Sequence, residues 1–213
     1  MPIKQDKTHY VAQIIKILNK EYKGIDIALN FSNPFELLAA TIMSAQCTDE
    51  RVNAVTSVLF KKYKTLQDYA NADVKELERN IYSTGFYRNK AKNIINSAKI
   101  ILENFNGKVP DTMESLLALP GVARKTANIV LSSAYGIYEG IAVDTHVIRI
   151  SNLLGLTKQS DPVKIEKDLM RLVPQKHWHN FSFLIQTLGR RVCKARNPDH
   201  AICPLRFICP SNK

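Results

Sequence analysis

Apolar residues recur at helical spacing in nearly every segment of the chain, and this pattern constrains the fold more than any other feature. Val11, Ile14, Ile15, Leu18 and Tyr22 form one stripe, and Ile94, Ile95, Ala98, Ile101, Leu102 and Phe105 form another. Steps of three and four place such residues on one face of an α-helix, whereas a half-buried strand needs strict alternation, which no segment shows convincingly. Local punctuation agrees. Thr48 followed by Asp49 and Glu50 is a helix N-terminal signal, Asp161-Pro162 opens another helix, and Gly107, Gly136 and Gly155 stand where helices would close. The expected fold is all-α, with about ten helices.

With 213 residues, 45% of them hydrophobic, the chain can bury a sizeable core as one large domain or two small ones. Its 30 basic residues against 19 acidic ones leave a net charge of +11, which favours a polyanionic partner such as nucleic acid over a plain basic surface. The opening "MPIKQDKTHYVAQIIKIL" lacks the apolar core of a signal peptide, and no later stretch approaches the length of a membrane span. An intracellular protein is expected, in a bacterial or archaeal cytoplasm and associated with the nucleoid. Three of the four cysteines crowd into "CKARNPDHAICPLRFIC", Cys193 to Cys209, with His200 among them. That makes a poor disulfide framework and a plausible ligand set in a reducing compartment.

Basic residues cluster at Lys61-Lys62-Tyr63-Lys64, at Arg88-Asn89-Lys90-Ala91-Lys92, at Arg124-Lys125 and from Arg190 to Arg196. One such cluster alone is an ordinary solvated helix face. Several of them beside turns point to phosphate contact.

The central stretch "LLALPGVARKTANIVLSSAYG" spans residues 116 to 136. Leu116, Leu117 and Leu119 end one helix, Pro120 and Gly121 break it, and Ala127, Ile129, Val130 and Leu131 belong to the next. A helix, a tight glycine turn and a second helix result, and the turn should leave backbone N–H groups at a helix N-terminus open to a phosphate. An ordinary αα-hairpin would have the same outline. Lys125 adds chemistry. It sits near the positive end of the second helix and beside Arg124, both of which favour a neutral, nucleophilic amine, while bound phosphate would act the other way. The plainer alternative is a solvated lysine on phosphate. Further along, "IAVDTHVIRISNLLGL" puts Asp144 before a helical run, where it serves as an N-cap or as a carboxylate that stabilises positive charge on a sugar ring.

Together these motifs resemble the endonuclease III family of base-excision DNA glycosylases. The resemblance rests on "LPGVARKTA", "VDTHVIR", "SAQCTDERVN" at 44 to 53 and "GFYRNKAKNI" at 85 to 94, with the cysteine cluster closing the chain, and it covers nearly the full length. It implies two helical domains with a DNA-binding cleft between them. Residues 27–137 would form a six-helix barrel carrying the helix-hairpin-helix, and residues 1–26 with 138–213 a second helical domain ending in an iron–sulfur loop.

The resemblance also implies roles. Lys125 matches the nucleophile and Asp144 the catalytic carboxylate of a bifunctional DNA glycosylase and AP lyase that removes oxidised pyrimidines and nicks the strand by β-elimination. Gln46 matches a glutamine that fills the space left by a flipped base. Phe86 stands where a wedge side chain, commonly leucine, is carried; an aromatic there could stack on a base or simply join the core. Arg88, Lys90, Gly121, Val122, Arg124, His146, Lys194 and Arg196 are the expected remaining DNA contacts. The partner would be double-stranded DNA with a damaged base or an abasic site, bound by a monomer, with no membrane involved.

Members of the family commonly hold a [4Fe–4S] cluster with C-x6-C-x2-C-x5-C. Here Cys193, Cys203 and Cys209 fall in register and His200 takes the second position. His200 could be the fourth ligand of the cluster, or part of a tetrahedral zinc site, or a bystander that leaves a three-cysteine cluster or no metal. The first is favoured, because histidine is an ordinary metal ligand and three thiols are in place. Two rival functions stay open at this point. One is a monofunctional mismatch glycosylase of the same superfamily, which Lys125 opposes; the other is a non-catalytic helix-hairpin-helix module that uses Lys125 only for phosphate.

Overall fold

A computed structural model describes residues 7–212. Eleven α-helices and two single 3-10 turns account for the regular structure of the described residues, with no strand among them. In chain order the helices are α1 (Lys7–Glu21), α2 (Pro34–Ser44), α3 (Asp49–Lys62), α4 (Leu66–Ala70), α5 (Val74–Ile81), α6 (Tyr87–Asn104), α7 (Met113–Leu117), α8 (Arg124–Tyr135), α9 (Thr145–Leu153), α10 (Pro162–Leu172) and α11 (Trp178–Arg191). The 3-10 turns are Tyr82–Thr84 and Gln175–His177. No helix of the described residues is long and apolar enough to cross a membrane.

Most helices start on a side chain that the sequence places there. Asn33, Thr48, Thr65, Asp73, Thr112, Asp144 and Asp161 each accept a backbone N–H from three residues on, which satisfies a donor the helix itself leaves open. Two helices of the middle segment, α6 and α8, have no such side-chain cap.

The chain divides into two compact units, Ala28–Glu139 and the pairing of Met1–Ile27 with Gly140–Lys213. In the middle unit α2, α4 and α5 pack on α6, and α2 and α7 pack on α8. Its core joins Leu37, Leu38 and Met43 of α2 to Leu59, Tyr69, Leu77, Ile81, Ile94, Ile101 and Val130, all essentially withdrawn from solvent. In the terminal unit α11 packs on α9 and α1. Val11, Ile14 and Leu18 of α1 meet Val147, Ile150, Ile165, Leu169, Phe181, Leu184 and Leu188 there. Each such side chain contributes about 1.5–3 kcal/mol on burial. The first and last parts of the chain therefore fold as one body.

Candidate functional site

In the middle unit α6 organises three loops. The loop after α2 turns through Gln46 at φ 54, and α6 itself begins from Phe86 at φ 48. Left-handed backbone is costly for side chains of this size, so the surroundings must impose it. Both side chains are exposed, Phe86 to 66%. Arg88 also points to solvent. Lys90 does not: it is 4% exposed, and its Nζ donates at 2.8 Å both to the Met43 carbonyl and to the Thr84 carbonyl. The expectation of a phosphate contact at Lys90 is thus corrected, because its ammonium is buried and held by two backbone carbonyls. Burial pushes the Lys90 pKa below the usual lysine range, with nearby Cys47 acting the other way.

One turn along, Asn93 meets the hairpin. Gly121 has φ +77, and a Cβ added there would stand 2.4 Å from Asn93 Nδ2, so this position needs glycine for its backbone and for its space. Ser97 Oγ donates to the Pro120 carbonyl at 3.2 Å. Lys90, Asn93 and Ser97 follow each other at steps of three and four and form one stripe on α6. Within the turn, the Val122 N–H donates to the Leu119 carbonyl at 3.2 Å, and the Val122 side chain is buried. The expected contact at Val122 is corrected as well, because that amide closes the hairpin instead of facing a phosphate. Helix α8 follows from Ala123, which supplies no side-chain cap, and Arg124 and Lys125 are its first two residues, both half-buried.

The terminal unit holds the other predicted residues. Asp144 is half-buried at the N-cap of α9, where its Oδ1 accepts the Val147 N–H at 2.8 Å. His146, the second residue of α9, lies against Gly189 of α11; a Cβ on Gly189 would come 2.5 Å from His146 Nδ1. His146 and Lys194 line an open cavity of about 440 Å³ together with Arg149 and Arg190. Arg196 is exposed on the same terminal segment. Arg149 was not anticipated as a site residue, although it lies three residues after His146 and so on the same helix face.

Beyond α11 the described residues form only turns and bends, and Cys193, His200, Cys203 and Cys209 line a common cavity of about 300 Å³ with Arg149. Arg149 Nη1 reaches Cys193 Sγ at 3.7 Å. Burial pushes the Cys203 thiol up, the Leu205 amide acts against this, and Cys193 and Cys209 add to the rise. Leu205, 1% exposed, pins the segment into the core, and Tyr10 Oη donates to the Ile208 carbonyl at 3.1 Å. Among the described residues no three His, Cys, Asp or Glu side chains are grouped as for a single metal ion. The donor chemistry, three thiols and an imidazole around one cavity with a cation at its edge, fits an iron–sulfur cluster.

Residues 39–175 match the HhH-GPD superfamily of base excision DNA repair proteins. Endonuclease III of Synechocystis sp. is 54% identical over 205 residues, which cover 96% of this chain and 94% of that protein. The chain belongs to the endonuclease III family. Membership makes it a base-excision DNA glycosylase with AP lyase activity that acts on DNA. Endonuclease III of Bacillus subtilis is 50% identical over 179 residues, 84% of this chain and 81% of that one. Among solved structures, a trapped endonuclease III–DNA covalent intermediate matches with a TM-score of 0.91 at 41% identity, covering 96% of each chain. A thermostable thymine-DNA glycosylase, at 21% identity and a TM-score of 0.82, shares the fold. Residues 193–209 match the iron-sulfur binding domain of endonuclease III, so the terminal segment carries an iron–sulfur cluster.

Proposed function

We propose that Lys125 is the nucleophile and Asp144 the catalytic carboxylate of this enzyme, acting on double-stranded DNA with an oxidised pyrimidine or an abasic site. The damaged nucleotide leaves the stack, which costs least for a base that stacks or pairs badly. The neutral Lys125 Nζ forms a bond to C1′, the glycosidic bond breaks, and the base departs with its electron pair and takes up a proton. Asp144 stabilises the positive charge that develops on the sugar. The sugar ring then opens as the C1′–O4′ bond breaks, O4′ takes up the proton that the amine gives up, and the resulting protonated imine is an electron sink. Loss of a 2′ proton then lets the C3′–O bond break, the 3′ phosphate leaves, and water releases Lys125 from the nicked product. Only an amine supports this last part, since a hydroxyl nucleophile would stop after base removal.

The observation that carries the reading is the place of Lys125, second residue of a helix whose N-terminus no side chain caps, directly after a hairpin whose glycine turn is dictated by contact. Phosphate is held well at such an end. A structural relative caught in covalent linkage to DNA supports the same chemistry. Gln46 and Phe86, exposed on left-handed turns, would enter the duplex as void-filler and wedge. Gly121, Arg124, His146, Lys194 and Arg196, with Arg88, would contact the backbone. Cys193, His200, Cys203 and Cys209 would hold the iron–sulfur cluster, whose role is to fix the loop that presents Lys194 and Arg196. The protein would act as a monomer.

Borohydride trapping on a duplex with one abasic site tests this. Wild type should form a covalent adduct, and Lys125→Ala should form none while keeping its fold and DNA affinity. An adduct that persists in Lys125→Ala, or none in wild type, overturns the assignment.

A further inference from the structure

We propose that Lys90 is a positioning residue for base flipping, whose buried ammonium ties the loop carrying Gln46 to the loop carrying Phe86 so that the two side chains work as one unit. The inference rests on the roles proposed above for Gln46 and Phe86.

The geometry supports a tie rather than a passive core lysine. The two acceptors come from separate elements: Met43 lies in the last turn of α2, three residues before Gln46, and Thr84 ends the 3-10 turn, two residues before Phe86. The carbonyls in the last turn of a helix lack intrahelical partners and carry the negative end of the helix dipole, so a cation is well placed on Met43. Burying an ammonium is expensive, and it persists only where several acceptors converge on it. An apolar side chain would fill the same space at less cost. What it could not do is bond two carbonyls from two loops at once.

Those loops are also where the backbone is strained. Gln46 and Phe86 both have positive φ without being glycine, at 54 and 48. A turn that could relax would withdraw its side chain from a duplex before insertion. Because the same stripe of α6 continues to Asn93 against Gly121 and to Ser97 against Pro120, one helix sets the place of all three loops relative to each other within this unit. An enzyme that must insert two side chains while presenting a phosphate-binding hairpin gains from that rigidity.

Lys90→Met keeps length and apolar volume and removes the donors. Its excision of an oxidised pyrimidine from duplex DNA should fall by about a hundredfold, the scale on which small misplacements cost rate. Borohydride trapping on a single-stranded abasic oligonucleotide, which needs no flipping or wedge, should stay near wild type. Gln46→Ala and Phe86→Ala should show the same split, and Phe86→Ala in the Lys90→Met background should lose little more. A folded Lys90→Met that excises normally from duplex while the other two are impaired overturns the tie. Equal loss on both substrates overturns it too, as that marks a general structural role. Normal duplex excision by Gln46→Ala and Phe86→Ala removes instead the reading on which the inference stands. If Lys90→Met does not fold, hydrogen exchange on wild type decides: amides 45–47 and 85–87 should open together, and independent opening refutes the coupling.

Discussion

A Cβ on Gly121 would stand 2.4 Å from Asn93 Nδ2, so the glycine of the hairpin packs directly against α6. Because Gly121 also has φ +77, Gly121→Ala meets both a clash and an unfavourable backbone. The substitution should cost about 1–3 kcal/mol. Asn93→Ala in the same chain should recover the steric part and leave the backbone part. Thermal unfolding of the two single variants and the double variant measures that coupling. Fluorescence anisotropy on abasic duplex should show weaker binding for Gly121→Ala, since the hairpin that leads into α8 is displaced.

The capping role of Asp144 is separable from the catalytic role proposed for it. As N-cap it accepts the Val147 N–H at 2.8 Å, a role asparagine fills equally well. In the proposed catalytic role it would need its charge. Asp144→Asn should therefore keep its stability and lose activity by about 100- to 1000-fold, the usual effect of removing one preorganised electrostatic group. Asp144→Ala should lose the same activity and in addition about 0.5–2 kcal/mol of stability. Full activity in the folded Asn variant would confine Asp144 to capping.

Features decided by near neighbours were legible in the sequence, and features decided by distant ones were not. Thr48 and Asp161 cap their helices through N–H groups three residues away, so the residue types alone announced the helix starts. The acceptors of Lys90 lie 47 and 6 residues back, and charge alone pointed to solvent. A signal was nevertheless present. The stripe of Ile94, Ala98 and Ile101, continued one turn backwards, falls on Lys90 and Ala91, which marks the buried face. The same holds for Arg149, whose helix face follows from His146 but whose partner Cys193 lies 44 residues on. The left-handed backbone at Gln46 and Phe86 had no signal, because neither type prefers it.

Stability in acid should depend on two carboxylates of the middle unit. The Asp68 carboxyl lies below the usual range, mainly because the Thr65 backbone N–H donates to it, and the Thr65 hydroxyl helps. Glu76 is lowered chiefly by its hydrogen bond from Lys62, at 2.6 Å. Both are held lower in the folded state than in the unfolded one. Their contribution is thus full above the unfolded carboxylate range and is lost as pH falls through their folded values. Asp68→Asn and Glu76→Gln should each flatten the acid limb of a stability–pH curve, measured by urea unfolding. A curve parallel to wild type in either variant would remove that residue from the account.

His200 is exposed, yet it shares a cavity with the three cysteines of the terminal segment. As a ligand in place of a thiolate, its imidazole would lower the negative charge around the cluster and raise the reduction potential. His200→Cys should therefore retain iron and sulfide and shift the potential downwards in voltammetry on DNA-free protein. His200→Ala should bind less iron per chain, lose visible absorption and melt at lower temperature, because the segment from Cys193 to Cys209 has no helix of its own to keep it in place. DNA affinity should fall with it, as Lys194 and Arg196 lie between Cys193 and His200. A His200→Ala protein with the iron content and spectrum of wild type would show that three thiols suffice and that the imidazole stands outside the ligand set.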